Sequence, residues 1–364
     1  MKFLFYLAHP AHYHLFKNII YNLKQNGHKT IILIQKKDIL ENLVSKAGYQ
    51  YKNILEKGRK GNMLSMASSF LKKDIGIVQS CIKFRPNLLI SSAPEITHAG
   101  KLLNIPSILI FEDDLNQVKI YEKIGVPYAT HLLVPNSCNV GKWNYKTSSY
   151  SGCHELTYLA PKYFNADKEL VASIIDVTKP YFLIRFSKLD AYHDTGKTGI
   201  TGKLAWSIIN LLKDHGNIFI TSEKDLDPEF SKYQLKFDPS CMHHVLNFSS
   251  IYIGDSQTMT AEAAVLGIPS VRFNDFVGKL GYLEELEHKY QLTHGFKTSQ
   301  PNKLLQKLTQ LLKTDNLQSI YQARKLKMLS VTIDVTAFII WFLENYPESV
   351  KIMKEDPDYQ YRFK

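Results

Sequence analysis

The sequence predicts an α/β protein made of two doubly wound parallel-sheet domains. Three observations carry that expectation. Short, uninterrupted apolar runs mark strands buried on both faces. Stretches of helical periodicity alternate with them. A second β/α series begins after a break near the middle of the chain.

Phe3 to Ala8 is the first apolar run. Leu15, Phe16, Ile19, Ile20 and Leu23 then recur at helical spacing, and Asn26-Gly27 supplies a stop. Thr30 to Ile34 is the next strand, followed by a helix before Gly48 and a longer one from about Leu64 to Phe84. Leu88 to Ser91, Ser107 to Phe111 and His131 to Val134 continue the strands. From Pro135 to about Lys179 the pattern breaks into Asn, Ser, Thr and Gly without periodicity, which reads as an inter-domain segment. The second series starts with the strand Tyr181 to Phe186, the helix Leu204 to Leu212 and the strand Asn217 to Thr221. The strands Ile251 to Ile253 and Ser270 to Phe273 flank a helix around Glu262, and three further helices end the chain. The expected division is residues 1–165, residues 166–345 and a tail of residues 346–364. Two such domains facing each other would place ligands in strand-to-helix loops at a cleft.

Composition narrows the function classes. At ~150 residues per domain, 364 residues suit two domains. With 45% hydrophobic and 22% charged residues, a disordered or fibrous chain is excluded. Lys and Arg outnumber Asp and Glu by 45 to 34, and the net charge of +11 calls for an anionic partner: a phosphate-bearing ligand, a lipid surface or nucleic acid. No nucleic-acid motif is present, so no nucleic-acid partner is expected. Four cysteines without a CxxC pair suit free thiols in a reducing cytoplasm. The apolar run Val335 to Leu343 is about half a bilayer span, and the N-terminal run is too short for a secretory leader. Lys57, Arg59 and Lys60, then Met63 to Leu71, then Lys72 and Lys73 place cations around an apolar helical face. Across residues 57–73 this reads either as a peripheral membrane contact or as an ordinary packed helix with solvated lysines.

The loops carry the chemistry. In Gly254-Asp255-Ser256-Gln257-Thr258-Met259-Thr260-Ala261-Glu262, a strand empties through a small polar turn into a helix that stops at Gly267. Hydroxyls beside unpaired helix amides, with the helix dipole, suit an anion. Glu262 lies one turn inside, where it can accept from a ribose diol or complement the dipole. Arg185 ends one strand of this domain, and Ser222 and Glu223 end another. In the first domain, His9-Pro10-Ala11-His12-Tyr13-His14 replaces a Gly-rich phosphate loop. His12, then His14, are candidates for a general base, and one histidine is a candidate helix cap. Zinc on His9 and His12 lacks further ligands at usual spacing, so no metal is assigned. Glu112, Asp113 and Asp114 form three adjacent carboxylates after a strand. Glu95 and His98 occupy a neighbouring loop, as candidate sugar or acceptor contacts. His154-Glu155 reads as a structural pair for Arg or Lys, and His243-His244 as a helix-surface pair or a nucleobase contact.

The run from Gly254 to Pro269 resembles the nucleotide-binding segment of GT-B glycosyltransferases and of UDP-N-acetylglucosamine 2-epimerases. More closely, the chain is similar to an uncharacterised GT-B-like family, a domain of unknown function found in surface-polysaccharide loci. That resemblance includes His9-Pro10-Ala11-His12, Glu112-Asp113, His154-Glu155-Leu156, Arg185-Phe186-Ser187, Thr221-Ser222-Glu223 and Tyr282 to Glu287. It implies a UDP-sugar with its diphosphate near Ser256, Gln257 and Thr258, its ribose at Glu262, and Arg185 on the leaving group. It also aligns Glu112 with the epimerases' active-site glutamate, although their Gly-Thr-Arg-Pro-Glu opening is missing. The expected function is metal-independent transfer of a sugar to a glycan or lipid-linked acceptor, without a cofactor. The alternatives are an epimerase and a non-catalytic nucleotide-sugar-binding partner.

Overall fold

The computed structural model describes residues 1–55, 63–186, 199–200, 202–222 and 226–364, and of 63–68 the backbone alone. Met1–Tyr158 and Thr332–Lys364 form one compact unit, and Leu159–Val331 forms the other.

In the first unit, β1 (Lys2–Leu7), β2 (Lys29–Gln35), β3 (Tyr51–Leu55), β4 (Leu88–Ser91), β5 (Ser107–Ile110), β6 (His131–Pro135) and β7 (Thr147–Tyr150) build one sheet in the order β3-β2-β1-β4-β5-β6-β7. All neighbours run parallel. Their apolar runs are buried because helices cover both faces, as right-handed crossovers require. Leu4, Tyr6, Leu33, Leu89, Leu109 and Leu132 share one core. β7 corrects the reading of Pro135–Lys179 as irregular. Its Thr-Ser-Ser-Tyr run pairs along β6 at the sheet edge, where a strand needs no apolar signature.

In the second unit, β8 (Tyr181–Phe186), β9 (Asn217–Ser222), β10 (Ile251–Gly254), β11 (Ser270–Phe273) and β12 (Thr293–Phe296) form a parallel sheet in the order β12-β11-β10-β8-β9. Each sheet reverses its winding once, at β1/β4 in the first and β8/β10 in the second. Crevices at such reversals, beyond the carboxyl ends of the strands, are where ligands bind in doubly wound sheets.

The chain's last segment departs from the expected division, because residues 332–345, expected in the second unit, and the tail of residues 346–364 both join the first unit. The helix Val335–Glu344 buries Phe338 and Phe342, whose rings lie 5.9 Å from Tyr150 and 5.6 Å from His131. Leu317–Glu344 has the length and apolarity of a membrane span. It folds as two helices, Leu317–Val331 and Val335–Glu344, and half of its most apolar window is buried. Asp334 caps the second helix by accepting from the Ala337 amide at 2.9 Å. Asp334→Ala should lower unfolding stability by ~1 kcal/mol, read as a drop in the urea midpoint of the first unit.

Candidate functional site

The register of the second sheet gathers several of the expected residues. Gly254 lies opposite Arg185 on one side and Arg272 on the other, and Arg185 lies opposite Thr221. Opposed residues in a sheet share a face, so one row at the strand ends reads Thr221, Arg185, Gly254, Arg272. Gly254 has no room for a side chain: a Cβ there would overlap the Tyr252 hydroxyl. This row stands at the β8/β10 reversal, where β10 runs into the helix Gln257–Leu266. Ser256 is that helix's N-cap, accepting from the Met259 amide at 3.3 Å, and Ser256, Gln257 and Thr258 are half-buried. A cation, a glycine and a capped helix start thus occupy one corner, a combination suited to an anion.

Other expected residues are placed differently. Asp255 is interior, and its carboxylate lies so close to Gly199 that a Cβ on that glycine would overlap it. Glu262 is buried and accepts from His243 Nε2 at 2.9 Å. His243, read as a helix-surface histidine, is interior, because the helix Met242–Asn247 packs on the helix carrying Glu262. His244 accepts the Asp167 amide at 3.0 Å. Ser222 ends β9, half-buried. Glu223 and Ser187 lie outside the described residues.

Arg272 carries no role in the sequence reading. It is fully buried, with Nη2 3.4 Å from Glu284 Oε1, and burial lowers its pKa. Glu284 also accepts the Gly278 amide at 3.0 Å, and Glu287 the Gly295 amide at 2.9 Å. Glu284, Glu287 and His288 bring potential ligand atoms within 4.8 Å of one another, but the buried guanidinium already supplies their counter-charge. The available signal was an arginine inside the short strand Ser270–Phe273, beside Val271 and Phe273.

In the first unit, β1 empties into the histidine turn at the β1/β4 reversal. His9 is the helix cap, its Nδ1 accepting the Ala11 amide at 3.2 Å. His12 Nδ1 accepts the Ala8 amide at 3.2 Å. Burial, reinforced by the imidazoles of His9 and His154, lowers the His12 pKa to about 3. His12 is therefore neutral near pH 7 with its proton on Nε2, which makes it a donor. This corrects the expectation that His12 is a general base: its one basic nitrogen is occupied, and its pKa is far below the working range. The same tautomer in His9 and His12 disfavours a metal on their Nε2 atoms. His14 packs its ring 5.2 Å from Tyr13 and 5.3 Å from Tyr158.

Glu112 follows β5, and its Oε2 accepts the His154 amide at 3.1 Å, with His154 Nδ1 at 3.7 Å. Burial lowers the His154 pKa to about 3, and among the described residues the buried His154 Nε2 has no hydrogen-bond partner. Glu112, His154 and His12 thus converge, and His154 is more than a structural partner for Arg or Lys. Asp113 is half-buried, and its carbonyl accepts the Cys138 thiol at 3.3 Å. Asp114 is consumed by the Asn139 amide.

Glu95 and His98 are not with them. Glu95 is buried in an ion pair with Lys73. His98 is held by Asp74 at 3.0 Å and the Ile124 carbonyl at 2.7 Å, and Asp74 raises its pKa. Both tie the helix Glu95–Leu103 to its neighbours, which corrects their assignment as sugar or acceptor contacts. Lys73 is likewise no solvated lysine.

The two Rossmann-like units give the GT-B fold, shared with solved nucleotide-sugar epimerases and glycosyltransferases. The UDP-GlcNAc 2-epimerase from Methanocaldococcus jannaschii is 13% identical, with a TM-score of 0.62 over 91% of this chain and 99% of that one. The Neisseria meningitidis UDP-GlcNAc 2-epimerase bound to UDP-GlcNAc is 13% identical, with a TM-score of 0.61 over 91% of this chain and 100% of that one. A calicheamicin glycosyltransferase is 11% identical, with a TM-score of 0.57 over 95% of this chain and 99% of that one. The chain belongs to the family described as a protein of unknown function (DUF354), which matches residues 1–281. No curated protein matches it.

Proposed function

We propose that this protein is a glycosyltransferase of surface-polysaccharide synthesis that uses a UDP-sugar donor. The observation that carries the reading is the register placing Arg185 beside Gly254, next to the Ser256-capped helix start. In this reading the second unit binds the donor. The amides of Gln257 and Thr258 and the Arg185 guanidinium take the diphosphate, and the Glu262 carboxylate, oriented by His243, takes the ribose diol. The first unit binds the acceptor. Glu112 removes the proton from the acceptor hydroxyl as its oxygen attacks the anomeric carbon, and the bond to the diphosphate breaks with its electron pair leaving on UDP. Charge stabilisation by Arg185 and the helix start performs the part a divalent cation plays elsewhere, which makes the reaction metal-independent.

Arg185→Ala should weaken UDP binding by about ten- to a hundredfold, the weight of one charge-assisted contact. Calorimetric titration with UDP in excess chelator measures it, and unchanged affinity would refute the assignment. A thermal-shift panel of UDP-, GDP-, dTDP- and CMP-sugars reads the nucleobase through ligand-linked stabilisation. An epimerase would incorporate solvent deuterium into the sugar without any acceptor, whereas a transferase releases UDP only when acceptor is present.

A further inference from the structure

We propose that the outward face of residues 71–83 of the helix Met63–Phe84, extended by Leu102 and Tyr128, is a docking surface for an anionic lipid bilayer. Leu71, Ile75 and Ile82 are 62%, 47% and 60% exposed. At about 100° per residue they fall within a stripe ~40° wide, opposite the buried Lys73, Ile77, Ser80 and Cys81. The patch continues onto adjoining elements. His98 bonds to Asp74 of this helix and lies edge-on to Tyr128, with ring centroids 5.6 Å apart. Leu102, one turn further along the His98 helix, is 71% exposed, and Tyr128 is 47% exposed. Isolated exposed aliphatics need no explanation, but a contiguous set on joined elements marks an interaction surface.

Charge selects the occupant. Lys72 and Lys83 line one edge of the stripe and Lys101 adjoins Leu102, all three exposed. The only acids on the two helices are Asp74, bonded to His98, and Glu95, buried with Lys73. A second copy related by a two-fold axis would set this cationic face against itself. An anionic headgroup layer matches the lysines while its acyl boundary receives the aliphatic stripe.

The test is co-sedimentation of the full-length protein with vesicles of phosphatidylcholine alone, or of equal parts phosphatidylcholine and phosphatidylglycerol. Binding is expected to the anionic vesicles only and to fall with added salt. The double substitution Leu71→Glu with Ile75→Glu should cut the partition coefficient by about tenfold or more. Lys72→Glu with Lys83→Glu should do the same, and it serves as the arbiter if the first variant melts early. Three results overturn the proposal: wild type left in the supernatant with anionic vesicles, undiminished binding by both variants, or a dimer in sedimentation velocity that these substitutions dissociate.

Discussion

Glu112→Gln is expected to lower turnover of the donor sugar by about a hundred- to ten-thousandfold, the range for loss of a positioned proton acceptor, and to leave UDP affinity unchanged. The substitution keeps the shape of the side chain. Its amide oxygen can still accept the His154 amide that holds Glu112 at 3.1 Å. What disappears is a basic oxygen for the acceptor's proton. Two of the other expected residues of that corner are already engaged. His12 holds its proton on Nε2 because Nδ1 accepts the Ala8 amide, and Asp114 is committed to the Asn139 amide. The split between an unchanged UDP dissociation constant and a collapsed kcat separates this role from a structural one. A loss of less than tenfold would remove Glu112 from the chemistry.

Which parts of this arrangement were legible follows from the range of the forces involved. β1 and β10 announce themselves because a strand buried on both faces must be apolar at consecutive positions. Ser256 was legible because an N-cap interacts within three residues, and Arg185 because a cation closes an otherwise apolar strand. The Glu262–His243 contact spans 19 positions and two helices, so neither residue's neighbours disclose it. His12 illustrates a subtler loss. Its place at the end of β1 was readable, but its role turned on which ring nitrogen meets a backbone amide. Lys73 shows the reverse error. Its sequence neighbours made it a flanking cation, whereas its helical phase points it inward to Glu95. The helix Val335–Glu344 is apolar enough to belong to either core. Only its packing against Tyr150 and His131 shows that the first unit claims it.

That same packing makes the first unit sensitive to acid. His131 stacks on Phe342, and its Nε2 lies 3.0 Å from the Ser148 hydroxyl; burial, aided by Lys146, lowers its pKa to about 4. His154 beside Glu112 is lowered to about 3 by burial. An unfolded histidine titrates near 6.5, so over the interval below that value the unfolded chain binds the proton and the folded one does not. Stability is therefore complete above pH 6.5 and falls as the pH drops, down to about 4 for His131 and about 3 for His154. The loss is ~1.4 kcal/mol per pH unit for each histidine, so at pH 4.5 the pair removes roughly 5 kcal/mol, a large share of an ordinary domain's 5–15 kcal/mol. His12 of the same unit, lowered to about 3, acts in the same direction, as does His294, lowered to about 4, in the second unit. Urea unfolding at pH 7.5 and 4.5 measures the difference. His131→Asn, which leaves nothing to titrate at that position, should shrink the gap by about 2–3 kcal/mol even if it lowers stability at both pH values. A wild-type difference below ~1 kcal/mol, or a gap unchanged in His131→Asn, would mean that these imidazoles accept protons without leaving the fold.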